Sequence, residues 1–228
     1  MENPDSSSPL LAVIRQRQCI RAFTEAPVHR QQIDTILETA SWAPSGVNTQ
    51  PWQVAVVTGR SKARITEQLI AARDNEETPN PDYAYYPDEW EEPYKGRRVA
   101  CGKALYTALQ IERHDAQRKK IAWENNYRFF GAPVGLFFFV DRRMNQGSWV
   151  DMGMFIQTVM LSAQALGLAT CPQASLAEYP DKIRAILGID AGLALVCGMS
   201  LGYADMSQPV NQYRLPRAGL DSFCHWYD

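Results

Sequence analysis

Apolar residues recur at helical spacing in some stretches and form unbroken runs in others, and the alternation between the two patterns lays out the chain. Ser8-Pro9 supplies an N-cap and a proline at the first helical position. Leu10, Leu11, Val13 and Ile14 then give that helix an apolar face, so that Arg15 and Arg17 arrive at its C-terminal end. Ile33, Ile36, Leu37 and Ala40 keep the i, i+3, i+4, i+7 spacing of a second helix, which must stop before Pro44. Residues 53–57 have the β-branched content of a short strand, and 61–73 return to helical spacing through Ile65, Leu69 and Ala72. Between 74 and 98 the period dissolves into acids, prolines and aromatics. A stretch of that length is usually functional or disordered, and its aromatics favour an ordered excursion. A helical pattern resumes at Val99 through Leu105, Leu109 and Ile111. The aromatic stretch that follows, with Trp123, Tyr127, Phe129 and Phe130, suits either a core patch or a cover over a planar ligand. Residues 135–140 and 193–201 are continuous apolar runs, the signature of strands buried on both faces. Between them lies the clearest helix, from Trp149 to Leu166, ended by Gly167. Residues 171–175 are expected to be a loop, ahead of a short helix at 180–187.

Composition narrows what this framework can serve. The 228 residues, 46% of them hydrophobic, suffice for a full core, so residues 1–228 should form one domain carrying an excursion at about 74–98. With 23 basic and 25 acidic side chains the net charge is -2, which offers no attraction for nucleic acid or a membrane surface. The five cysteines are scattered, no Cys-x-x-Cys occurs, and there are three histidines, so neither a disulfide framework nor a metal site is expected. The polar, acidic start lacks a signal peptide's apolar run and no stretch is long enough to span a bilayer, which predicts a cytoplasmic protein.

Two stretches carry candidate chemistry. Arg15, Arg17 and Arg21 crowd three permanent charges where a helix runs out, and they repel one another unless an anion, most simply a phosphate, sits among them. Solvated arginines at a helix end are the alternative. The loop 41–52 is stiffened by Pro44 and Pro51, allows close backbone approach at Gly46, and presents the amides of Asn48 and Gln50. A plain connector is its other reading. No Gly-x-Gly-x-x-Gly, P-loop or Gly-x-Ser-x-Gly pattern is present, so neither a dinucleotide fingerprint nor a hydrolytic nucleophile is indicated.

Arg17-Gln-Cys-Ile-Arg21 with Phe23, then Ala43-Pro-Ser-Gly-Val-Asn-Thr-Gln-Pro-Trp52, Phe130-Gly-Ala-Pro-Val134, Gly167-Leu-Ala-Thr-Cys-Pro-Gln173 and finally Arg214 resemble, in order and spacing, the FMN-dependent nitroreductase family. The likeness covers most of the chain, least so the excursion. It implies an α+β, three-layer sandwich with a mostly antiparallel central sheet flanked by helices, and an interlocked homodimer with FMN in clefts between the subunits. It also implies that Arg17, Gln18, Cys19, Arg21 and Arg214 hold the phosphate end of FMN, and that Pro44, Ser45, Asn48 and Gln50 reach the flavin from the partner subunit. The backbone of Pro172, Gln173, Ala174 and Ser175 would face the redox-active edge of the ring. The flavin would carry the chemistry, with no acid or base side chain required. NADPH or NADH would reduce it and leave, and a nitroaromatic would then take the same place and be reduced by electron pairs to nitroso and hydroxylamino products, with amines as a further stage. Trp123, Tyr127 and Phe129, with the aromatics of the excursion, are the candidates for a substrate cover. Two departures stand out: Cys19 occupies a position where the family commonly has serine, and Gln173-Ala174-Ser175 differs from the Glu-Gly of one bacterial branch. Quinone or enone reduction, reductive dehalogenation and simple flavin carriage are the alternatives left open by the scaffold.

Overall fold

The computed structural model describes residues 8–227. Seven helices, α1 (Pro9–Gln16), α2 (Arg30–Ala40), α3 (Gly59–Asp74), α4 (Tyr94–Ala108), α5 (Ala116–Glu124), α6 (Gln146–Ala165) and α7 (Pro180–Leu187), surround one sheet. Its strands are β1 (Gln53–Thr58), β2 (Val134–Asp141), β3 (Ala169–Gln173) and β4 (Leu193–Gly202), antiparallel throughout in the order β1-β2-β4-β3.

The apolar run of β2 explains the layering. Successive strand residues point to opposite faces, so a central strand with helices on both sides must be apolar at every position. Leu136, Phe138 and Val140 pack with Ile33 and Ile36 of α2 and Met152, Phe155 and Val159 of α6. Phe137 and Phe139 pack on the other face with Ile65 and Leu69 of α3 and Ile183 of α7. Each of these fully buried side chains contributes about 1.5–3 kcal/mol relative to exposure. The result is the expected α+β sandwich of helices, antiparallel sheet and helices.

Two local expectations need correction. The 171–175 stretch is not a loop: Cys171, Pro172 and Gln173 end β3, pairing with Ser200, Met199 and Gly198 of β4, and only from Ala174 does a 3-10 turn take over. Pro172 is tolerated because β3 lies at the sheet edge, where a missing N–H need not meet a neighbour. Helix α4 begins at Tyr94, inside the supposed excursion, and none of its residues is buried. Helix α5 starts at Ala116, with the Asp115 carboxylate accepting the Arg118 N–H at 2.9 Å as an N-cap.

The remainder of the excursion is moored to the sheet. β4 carries one extra residue against β2 between Leu195 and Cys197, and β3 reaches no further than Gly198, so the start of β4 is an open edge. Asp82 and Tyr83 cover it. The Leu195 N–H donates to the Asp82 carboxylate at 2.7 Å and the Tyr83 hydroxyl donates to the Val196 carbonyl at 2.8 Å. Arg184 of α7 (2.6 Å) and Arg142 also donate to Asp82, whose side chain is only 5% exposed. Burial alone would raise the Asp82 pKa, but the hydrogen bonds from Arg184, Leu195 and Arg142 outweigh it and hold the carboxylate below its ordinary value. No helix among the described residues is long and apolar enough to cross a membrane, and no cluster of His, Cys, Asp or Glu among them could hold a metal ion.

Candidate functional site

After α1 the chain runs extended alongside β3, where Cys19 bridges Thr170 and the Ile20 N–H donates to the Thr170 carbonyl at 3.1 Å. Extended backbone alternates its side chains, so Ile20 turns into the core at 3% exposure while Cys19 and Arg21 turn outward together. The C-terminal tail closes over them. Buried Asn211 accepts the Arg21 N–H at 2.8 Å and donates to the Ala22 carbonyl at 2.8 Å, and the Gln18 side chain donates to the Asn211 carbonyl at 2.9 Å. Arg214 donates to the carbonyls of Arg15 (2.8 Å) and Gln16, filling the acceptors that the end of α1 leaves open, and to the Gln18 amide oxygen at 3.2 Å.

Between tail and helix lies a cleft of about 510 Å³. Among the described residues, five arginines border it (Arg15, Arg17, Arg21, Arg214 and Arg217) and no carboxylate does. The phenol of Tyr213, also on its wall, is buried with no hydrogen-bond partner. Such a cleft has the charge and the donors that an anion requires. Burial disfavours the Arg21 charge, but the adjoining sulfurs of Cys171 and Cys19 and the Tyr213 phenol more than compensate. Cys19 shares the field: a hydrogen bond from the Cys171 thiol, against the opposing effect of burial, and the charges of Arg21 and Arg17 pull its pKa down to about 5. The same interaction and burial push Cys171 up.

Arg21 also borders a second cavity of about 430 Å³, so one guanidinium joins the two spaces. Its floor is Cys171, Pro172, Ala174 and Ser175, and the Ser175 hydroxyl there is buried without a partner. Gln173 turns its side chain inward, 4% exposed, donating to the Asn126 carbonyl at 2.8 Å and accepting from Ser200 at 2.5 Å, which fixes the backbone of the floor. One wall is Tyr83, Tyr85 and Tyr86 from the excursion, and the other includes Trp123. The Arg73 guanidinium lies 3.5 Å from the centre of the Trp123 ring, a cation–π contact that holds the indole in place. Glu178 borders the same cavity. Burial raises its pKa, against the Tyr127 hydroxyl that donates to it at 2.6 Å.

The arginine pocket and the 172–175 floor are therefore brought together at the β3 edge of the sheet, sharing Arg21. Two of the three cover candidates are not. Tyr127 and Phe129 are 0% exposed and belong to the core under β2, because Tyr127 is turned inward by its bond to Glu178 and Phe129 wedges against Phe137. Trp123 alone of the three borders the cavity. The 44–50 loop lies apart from both cavities: Pro44, Asn48 and Gln50 are exposed and line neither. Its form is firmly held, with the Gly46 N–H donating to buried Asp151 of α6 at 3.1 Å and the Gln50 N–H to the Ser45 hydroxyl at 3.0 Å. Val47, Asn48 and Gln50 all adopt positive φ, a strain that non-glycine residues carry at functional loops. Asp82, Tyr85 and Tyr86 escaped sequence reasoning as individuals, since nothing distinguishes them from the acids and tyrosines around them.

Comparison with known proteins places these features in context. The model of the nitroreductase family matches residues 14–203. A 4-nitrobenzoate reductase of Pseudomonas putida is 40% identical over 94% of this chain and 94% of its own length. A nitrobenzene nitroreductase of Ectopseudomonas oleovorans is 38% identical over 92% of this chain and 93% of its own. Among solved structures, the FMN-dependent nitroreductase NfnB of Mycobacterium smegmatis, in complex with NADPH, superposes with a TM-score of 0.90 at 36% identity, covering 95% of this chain and 96% of that one.

Proposed function

Because the chain belongs to the nitroreductase family, we propose that it is an NAD(P)H-dependent oxidoreductase that binds FMN across its two cavities and reduces nitroaromatic compounds. The observation that carries the reading is the pairing of a five-arginine cleft, without a carboxylate among the described residues, with an aromatic-walled cavity through Arg21. A flavin mononucleotide has a phosphate at one end and a planar polar ring at the other. The residues present fit both ends. Arg17 and Arg21 offer charge to the phosphate, the unpartnered Tyr213 hydroxyl offers one more hydrogen-bonding group, and Arg214 keeps the wall of the cleft in place. At the other end the backbone of 172–175 and the unpartnered Ser175 hydroxyl meet the ring. Bound FMN would accept an electron pair from NADPH or NADH and deliver pairs to the nitro group.

The chain's own part is to bind, orient and exclude water. Tyr85, Tyr86 and Trp123 present aromatic surface on facing walls, which selects flat substrates by stacking and keeps solvent out. The arginines and the Ser175 hydroxyl favour added negative charge on whatever lies between them. The 44–50 loop serves a second copy: it is rigid and exposed, its Val47 is 97% exposed and neighbouring Trp42 88%, and it has no place in the cavities of its own protomer. A homodimer in which each loop closes the partner's cleft accounts for all three properties. Residues 1–228 act as one domain whose excursion supplies the aromatic wall, and the five free cysteines fit the reducing conditions of the cytoplasm.

Purification tests the reading directly. The protein is expected to be yellow, to release FMN on denaturation, to bleach within seconds of anaerobic NADPH addition, and to turn over 4-nitrobenzoate or nitrobenzene. A colourless protein that takes up no added FMN would refute it.

A further inference from the structure

We propose that Glu178 sets substrate specificity in the second cavity, where its carboxylate favours nitroarenes carrying a hydrogen-bond donor or a cationic substituent and disfavours carboxylated ones. The inference rests on the proposed nitroreductase activity and narrows its substrate class.

The placement of Glu178 begins at the cavity floor. The 3-10 turn Ala174–Ala177 carries the chain out of β3, and the Glu178 N–H donates to the Ser175 carbonyl at 3.3 Å, one turn beyond the floor. The Asn80 N–H, from the excursion, donates to the Glu178 carbonyl at 2.9 Å. The side chain is held as well. The Tyr127 hydroxyl donates to Oε2 at 2.6 Å, and the Tyr127 ring meets that of Trp123 edge-on, with centroids 4.9 Å apart. Stacking surface and carboxylate therefore belong to one packed cluster, and Trp123 and Glu178 both border the cavity.

The second oxygen, Oε1, is the group left open. Among the described residues the Glu178 side chain accepts the Tyr127 bond alone and has no lysine or arginine paired with it. The charge of Arg73 reaches it, but that guanidinium is stacked on Trp123. No other carboxylate lines the cavity among the described residues. Gln173, Asn126 and Tyr83 spend their side chains inside the protein, on the carbonyls of Asn126, Trp123 and Val196. Arg21 also borders the arginine cleft and is committed to the cofactor. With FMN in place, Glu178 is the unpaired ion of the aromatic cavity.

A charged acceptor beside a stacking wall reads the substituent of a bound ring. A hydroxymethyl or aminomethyl group donates to Oε1 in a charge-assisted bond, whereas a carboxylate brings like charge and no proton to share. At the short range that a cavity imposes, attraction and repulsion between such charges separate the two ligands by about tenfold or more in affinity.

Two measurements at pH 8, which keeps the carboxyl ionised, test this. The first titrates oxidised, FMN-loaded wild type and Glu178→Gln with benzylamine and with benzoate, neither of which can be reduced, and follows the flavin absorbance. Wild type should bind benzylamine at least about fivefold tighter, and Glu178→Gln, which keeps an acceptor for Tyr127 but no charge, should lose that preference. The second compares kcat/KM for 4-nitrobenzyl alcohol and 4-nitrobenzoate. The ratio of the two should fall at least about fivefold in Glu178→Gln, mainly through a lower KM for 4-nitrobenzoate, and comparing the two proteins cancels the intrinsic reducibility of each compound. A wild-type preference below fivefold, or a ratio that moves less than fivefold in the variant, would overturn the proposal; should the variant not fold, the wild-type titration decides alone. A protein that neither takes up FMN nor turns over these compounds would remove the nitroreductase reading and this inference with it, whereas turnover with unaltered ratios would remove this inference alone.

Discussion

Asp82→Ala removes the carboxylate through which the excursion grips the start of β4. Arg184 is left behind with its side chain 7% exposed, and of its charged partners only Asp181, itself 68% exposed, remains. Breaking a buried ion pair by deleting one member costs about 3–5 kcal/mol, because the surviving charge stays desolvated. Asp181 softens this toward the lower figure. For a chain of this size about 3 kcal/mol lowers Tm by roughly 6–12 °C, measurable by circular dichroism or calorimetry. Arg142→Ala is the control: the Arg142 side chain is 41% exposed, so the loss should be about 1 kcal/mol or less. Asp82→Ala combined with Arg184→Met should recover most of the stability, since both charges then leave the interior together. The pH dependence has a definite sign. Because the folded pKa of Asp82 lies below its ordinary 3.8, its contribution is fully present above that value and is lost as pH falls through the folded pKa. Wild type and Asp82→Asn should therefore converge in strong acid. An Asp82→Ala protein within about 1 kcal/mol of wild type at pH 7 would refute the reasoning.

Arg21→Ala should weaken FMN binding by roughly ten- to a hundredfold, the worth of a charge-assisted contact, with Tm in the flavin-free state nearly unchanged; fluorescence titration of released flavin measures it. Gly135→Ala should destabilise by about 1–3 kcal/mol in urea unfolding, since a methyl group there would stand 2.4 Å from a Phe129 ring carbon and 2.9 Å from Val57. Trp123→Ala should raise KM for a nitroarene several-fold while leaving FMN affinity alone, whereas Phe129→Ala should cost about 3–5 kcal/mol of stability; equal behaviour of the two variants would contradict their placement at cavity and core.

What the sequence made legible is what has a period. The runs at 135–140 and 193–201 and the long stripe of α6 announced themselves because burial on both faces or one face leaves a regular mark. β3 left none: it is five residues long, contains a proline, and lies at an edge where polar Thr170 and Gln173 find partners. Helix α4 buries nothing, so its start had no apolar stripe to betray it. Arg17, Arg21 and Arg214 were legible as a charge cluster and a motif. The role of Asp82 was not, because it depends on a partner far along the chain, Arg184. Tyr127 and Phe129 were misassigned for a related reason: the aromatic stretch has no period to say which rings turn inward, and the turn at 129–130 has left-handed backbone that no pattern forecasts.

The clamp that Asn211 and Arg214 place on residues 15 to 22 joins segments 190 to 199 positions apart in the chain. While the protein is being synthesised, the sheet and its helices can assemble before residues 210–217 emerge, but the wall facing Arg21 cannot. A chain cut short of Asn211 would therefore be expected to keep its sheet and helices while its arginine cleft lacks the tail-side wall.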